Sequence, residues 1–214
     1  MRTMIAIPAL DTVRTEFFSS VCTMRHAGEV QFTVAQSSLT YDGRNLLAAA
    51  AIDGDFDRVL WLDSDILFPP DLEERLHADL DAGHEMVSAL YFTRKPPLRP
   101  VVYKAVEMDR MPDGRQIPRA DSWLDYPEET LFPVEACGFG AVMMRTSLLR
   151  EVRDRYGLPF SPIMGFGEDL SFCMRMREMG RTVWCDSRIR VGHVGSCVYS
   201  AEGYRREQVQ VVDL

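Results

Sequence analysis

The sequence predicts an α/β protein whose mainly parallel sheet carries helices on both faces. Three observations lead there. Through residues 1–92, short apolar or β-branched runs alternate with helix-length segments. The joints between them are short and marked by Gly, Pro and Asp, the punctuation of βαβ units. The composition, 46% hydrophobic and 26% charged over 214 residues, supplies a sizeable core of ordinary globular type.

The elements follow in order. TMIAIPA (3–9) is an apolar strand. TVRTEFFSSVCTMRHAG (12–28) has helical apolar spacing and a stop at Gly28. VQFTVAQ (30–36) is β-branched and strand-like, and the Ala/Leu segment 41–54 is a helix closed by Gly54. DRVLWLD (57–63) is a buried strand. Pro69-Pro70-Asp71 open the next helix, with acids in its first turn where the helix dipole favours them. EMVSALYF (85–92) is the fourth strand. The pattern then changes. Residues 93–135 hold one clear strand, 100–108, and a PDGR turn at 112–115, which reads as an antiparallel or extended excursion on the sheet. A strand at 139–145, helices at 147–157 and 167–180, and short strands in TVWC and RIRVGHVG complete the chain.

The net charge of −8 argues against broad nucleic-acid binding, so nucleic acid is not an expected partner. No apolar run approaches the roughly 18 to 20 residues of a membrane span. The N-terminal patch is broken by Pro8 and reads as a strand, so the expected location is cytoplasmic. The five cysteines contain no CxxC pair and read as reduced, mostly buried thiols.

Chemistry concentrates in three places. Val59-Leu60-Trp61-Leu62 ends on Asp63-Ser64-Asp65. In an open parallel sheet ligands gather outside the carboxyl ends of strands, and residues one apart on an extended chain point the same way. Two carboxylates facing one site repel unless they share a proton or a cation, and a hard ion such as Mg²⁺ or Mn²⁺ meets that need. A turn or capping role is the plainer reading of such a pair in isolation. His193 lies between Gly192 and Gly195, which allow close backbone approach, although a lone histidine is often a satisfied structural residue. Glu168 and Asp169 open a helix after Gly165 and Gly167. They suit either the helix dipole or a general base.

Together these segments resemble the GT-A fold glycosyltransferases, a Rossmann-like family of mixed, mainly parallel sheets. LWLDSDI is similar to the family's DxD motif, and GEDLSFCMRMREMG to its acidic, acceptor-facing helix. WCDSRIRVGHVG resembles the segment that supplies a histidine metal ligand. GRNLLAAA (43–50) resembles a helix start found before the DxD strand, and CGFGAVMMR (137–145) the glycine-containing loop and strand before the acidic helix. The resemblance covers most of 1–200. It implies one domain over 1–200, with a nucleotide-binding half (1–92), an acceptor-binding half (93–200) and a tail at 201–214.

The resemblance also implies roles. Pro8 and Ala9 would lie by the base of a nucleotide-diphospho-sugar, a UDP-sugar in the first place and a GDP-sugar in the second. Arg44 would contact the donor near its diphosphate. Asp63 and Ser64 would approach ribose or metal, and Asp63, Asp65 and His193 would hold Mn²⁺ or Mg²⁺. Gly138 and Phe139 would flank the transferred sugar. Glu168 and Asp169 would meet sugar or acceptor, with one serving as base if the reaction inverts the anomeric centre. The acceptor and the stereochemical outcome stay open. A nucleotidyltransferase, a haloacid-dehalogenase-like phosphatase, and a non-catalytic nucleotide-sugar binding module are the competing readings. The phosphatase would need a catalytic lysine, and only Lys95 and Lys104 are available.

Overall fold

A computed structural model describes residues 1–195 and 198–205. Cys197 and residues 206–214 of the expected tail lie outside the described residues. The chain begins with β1 (Arg2–Ala9), α1 (Thr15–Thr23), β2 (Glu29–Gln36), α2 (Thr40–Asp53), β3 (Arg58–Leu62) and β4 (Ile66–Leu67). It continues with α3 (Leu72–Asp81), β5 (Met86–Leu90), β6 (Val102–Arg110), β7 (Gln116–Ser122), β8 (Leu131–Val134), β9 (Ala136–Cys137) and β10 (Ala141–Arg145). It closes with α4 (Thr146–Tyr156), α5 (Glu168–Glu178), β11 (Val183–Arg190), β12 (Gly192–Val194) and β13 (Val198–Tyr199).

Seven strands form the central sheet in the order β2-β1-β3-β10-β5-β11-β8. β2, β1, β3, β5 and β11 run one way, while β10 and β8 run against them. The expected α/β class, with its mainly parallel sheet, is what the structure shows. The neighbours differ from the sequence order, because antiparallel β10 separates β3 from β5. Helices cover both faces. Along β3, Val59 and Trp61 point into the core under α2, α4 and α5, while Leu60 and Leu62 point into the core under α1 and α3. Period-2 alternation on a strand buried on both sides gives this continuous apolar run. On α3, Leu72, Leu76 and Leu80 recur every four residues and are fully buried, each contributing about 1.5–3 kcal/mol.

The helix expected over 12–28 is shorter. Its C-terminal part leaves the helical path because Arg25 N–H bonds the Pro70 carbonyl (2.8 Å) and Ala27 N–H bonds Glu73 Oε2 (2.7 Å). Residues 93–135, where one strand was expected, hold three: β6 and β7 make an antiparallel hairpin closed at 111–115, which the following β9 joins through β6, and β8 forms an edge of the central sheet. TVWC and the first half of RIRVGHVG belong to one strand, β11. Cys137, Cys173 and Cys185 are buried and Cys22 is exposed, all as free thiols. No described helix is long and apolar enough to cross a membrane.

Candidate functional site

β3 delivers Asp63-Ser64-Asp65 to its carboxyl end, and backbone bonds fix the turn there. Asp63 N–H bonds the Gly140 carbonyl (3.0 Å), Ile66 N–H returns to the Asp63 carbonyl (3.2 Å), and Arg14 N–H bonds the Ser64 carbonyl (3.1 Å). β4 starts at once and pairs with β12, setting Ile66 opposite His193. Val194 N–H then bonds the Asp65 carbonyl (2.7 Å). This short ladder brings His193 beside a carboxylate far away in sequence.

A cleft of about 440 Å³ opens here. Pro8, Ala9 and Leu10 from the end of β1 line it, with Ala35, Ser37, Ser38 and the start of α2, and with Asp63, Ser64, Asp65, Arg94 and His193. Pro8, Ala9, Asp63, Ser64, Asp65 and His193 are therefore gathered as the sequence reading requires. The start of α2 borders the cleft and is tied locally: Leu39 N–H bonds Ser37 Oγ (3.1 Å), and the Asp42 and Gly43 N–H groups bond the Leu39 carbonyl (3.1 and 3.2 Å).

The charges are unevenly matched. Arg44, on α2, is 2% exposed. Its Nη2 donates to Asp63 Oδ1 (2.7 Å), its Nε donates to Glu168 Oε1 (3.2 Å), and its guanidinium stands over the Phe139 ring at 5.3 Å. Burial works against its charge, and Asp63, Glu168 and Asp169 outweigh that penalty. Burial pushes the Asp63 carboxyl above its ordinary range, with Arg44 pulling it back. Burial would raise Asp65 too, but the hydrogen bond and charge of His193 and the charge of Arg94 hold it below that range.

His193 Nδ1 donates to the Phe92 carbonyl (2.9 Å). Its Nε2 therefore faces Asp65 Oδ1 at 3.5 Å. With a proton on Nε2 the ring is cationic and donates toward Asp65, the form that lowers that carboxyl; in the neutral ring Nε2 carries a lone pair, and a metal cation between the two groups takes the proton's place. Orientation of the second nitrogen by a backbone carbonyl is how metal-binding histidines are held. Among the described residues no three His, Cys, Asp or Glu side chains form a ready cage. Mg²⁺ and Mn²⁺ do not need one, since they retain waters and take one or two carboxylates together with phosphate oxygens. The donor set of Asp65 and His193, with Asp63 alongside, fits such an ion.

At the N-terminus of α5, Asp169 Oδ1 accepts from Leu170 N–H (2.7 Å). Burial, and then the charge of Glu168, raise its pKa to about 6. Tyr103 on β6 shares this environment, its phenol pushed up to about 12 by burial and by Asp169.

Three placements differ from the sequence reading. Arg44 does not line the cleft; it sits one layer behind, tying Asp63 to Glu168. Phe139 is 1% exposed and belongs to an aromatic cluster with Trp61, Phe160 and Phe172. Gly138 is packed against Tyr91, and a Cβ there would meet the Tyr91 hydroxyl at 2.0 Å, which by itself requires a glycine. Conversely, sequence reasoning missed Arg94, Tyr91 and Tyr103. Tyr91 lies just past the end of β5 and accepts the Gly140 N–H (3.2 Å). It occupies the same kind of strand end that singles out Asp63, and that position was the available signal.

No family model matches the chain, and no curated protein matches it. Among solved structures the chain is similar in fold to A197 from STIV, with a TM-score of 0.63 and 18% identity, over 91% of this chain and 86% of that one. The likeness is one of fold.

Proposed function

We propose that this protein is a metal-dependent glycosyltransferase. It moves a sugar from a nucleotide-diphospho-sugar, a UDP-sugar in the first place, to an acceptor hydroxyl. The carrying observation is the junction of an Asp65–His193 pair oriented for a cation with an acid, Asp169, of raised pKa. The pair stands at the carboxyl end of β3, and Asp169 stands behind the cleft lining in the first turn of α5, near enough to Arg44 and Asp63 to feel their charges. Pro8, Ala9 and Leu10 offer apolar surface for a base, and Ser37, Ser38 and Thr40 offer hydroxyls for its polar edge and the ribose.

Asp65 and His193, with Asp63, would hold Mn²⁺ or Mg²⁺, which would offset charge on the leaving diphosphate. The remaining work falls to the chain. Arg44 holds Asp63 and Glu168 in place. The Leu170 N–H holds Oδ1 of Asp169, leaving Oδ2 to accept the acceptor's proton. With a pKa of about 6, Asp169 is mostly ionised at neutral pH yet basic enough to take that proton. Neither Lys95 nor Lys104 lines the cleft, so the phosphatase alternative lacks its catalytic lysine there. Thermal shift with UDP and UDP-sugars, each with Mn²⁺ and with EDTA, followed by donor-hydrolysis assays, tests the reading. No nucleotide binding in any condition would sink it, and binding without turnover of any donor would favour the binding module.

A further inference from the structure

Two arginines reach the carboxylates of the cleft, and they are held differently. Arg44 is buried and bonded to two carboxylates, so it cannot leave without stranding charge in apolar surroundings. Arg94 is 54% exposed, lines the cleft, and pairs with one carboxylate, Asp65, through Nη1 and Oδ2. Its loop is closed at the base, where Thr93 N–H bonds the Arg99 carbonyl (2.9 Å) and Val101 N–H bonds the Tyr91 carbonyl (2.9 Å). The loop that carries Arg94 is thus tied at its base, while the side chain is half-exposed and held by one ion pair. Asp65 is also the carboxylate that faces His193. A divalent cation drawn to that pair meets the guanidinium already on Oδ2, and two cations on one carboxylate repel.

We propose that Arg94 is a resident counter-ion. It neutralises Asp65 in the ion-free protein, yields Asp65 to a divalent cation, and then turns to the anionic phosphates of the bound ligand. The last step, and only that step, rests on the nucleotide-sugar reading of the cleft. The exchange accounts for an exposed arginine on a carboxylate that its neighbours otherwise arrange for a cation. It also keeps the cleft from presenting unpaired negative charge to an incoming phosphate.

The test is a titration with Mn²⁺ alone, read by the electron paramagnetic resonance of the free ion. Wild type, Arg94→Met, Arg94→Lys and Asp65→Asn are compared. Methionine keeps the apolar stem and removes the charge at an exposed position. Arg94→Met should bind Mn²⁺ about fivefold more tightly, the scale of one exposed ion pair. Arg94→Lys should stay near wild type, and Asp65→Asn should lose binding. Unchanged or weaker Mn²⁺ binding by Arg94→Met, or no Mn²⁺ binding by any protein, overturns the proposal. The second arm is UDP at saturating Mn²⁺. Arg94→Met should bind UDP about fivefold more weakly, with a shallower dependence on salt. Equal UDP affinity overturns the turn toward phosphate. If the Mn²⁺ shift appears but UDP binds neither protein, the counter-ion role stands and the nucleotide-sugar reading fails.

Discussion

The two ends of β3 carry polar clusters of similar chemistry and opposite character. At the amino end, Arg58 donates to His77 Nδ1, to the His77 carbonyl and to Asp81. Because a guanidinium only donates, His77 Nε2 keeps the ring proton and faces Glu73 Oε1 at 2.7 Å and Thr3 Oγ1 at 3.0 Å. Glu73 is 0% exposed, and its other oxygen accepts from Ala27 N–H. At the carboxyl end, Asp63 and Asp65 face Arg94 and His193 in an open cleft, with Arg44, Glu168 and Asp169 in the layer behind it. The amino-end groups bond one another and so tie β1 and β3 to α3. Ions left in excess beside solvent, with a raised pKa among them, are what a ligand or a proton completes.

The largest expected effect falls at the carboxyl end. Asp169→Asn keeps the shape and removes the base, so kcat should fall on the order of 10² to 10⁴ while UDP affinity stays within about twofold. Product assay and calorimetry are read side by side. Near-wild-type turnover would reduce Asp169 to a helix-terminal acid, and an equal loss of UDP binding would move it into the donor pocket. Glu168→Gln is the companion, separating the neighbour that holds Arg44 from the one that takes the proton.

At the amino end the prediction has the reverse sign of specificity. His77→Leu leaves buried Glu73 Oε1 and the Arg58 guanidinium without their His77 side-chain partner and should cost roughly 3 kcal/mol in urea unfolding, with UDP affinity unchanged. A matching loss of UDP binding would show that the two ends are coupled and break the contrast. Next in size, UDP at about a hundredfold over its Kd should stabilise the protein by about 2.7 kcal/mol with Mn²⁺ and by clearly less with EDTA. Asp65→Ala should erase that difference; stabilisation that survives it would remove Asp65 from the ion site.

The smallest effect is the dependence on pH. With Asp169 as base, kcat/KM should rise between pH 5 and 7 with a midpoint of about 6. The sign for stability is opposite. The unfolded carboxyl releases its proton near pH 4. The folded one keeps it to about pH 6. The contribution of Asp169 therefore falls as pH rises from about 4 to 6 and is level beyond. Asp169→Asn should equal wild type in stability near pH 4 and exceed it at pH 7. Asp79, raised to about 6 by burial and by Asp186, retains the same trend in both proteins. A variant no more stable at pH 7 would mean that Asp169 carries no burial cost.

The sequence by itself determined the α/β class and the strand end that bears Asp63-Ser64-Asp65. Those rest on local signals: apolar alternation in β3, four-residue spacing in α3, and prolines and glycines at the joints. It also marked Glu168 and Asp169 as a helix start and His193 as a glycine-flanked candidate. Tertiary structure alone decided that β10 enters antiparallel between β3 and β5, and that β4 and β12 pair to set His193 beside Asp65. It decided that Arg44 is a buried tie and that Arg94 is the exposed cation of the cleft. Arg44 and Glu168 are 124 positions apart, and no pattern within either segment encodes the other. A side chain's period names the face it occupies, whereas its partner depends on which strands become neighbours, a choice made by the packing of the whole chain.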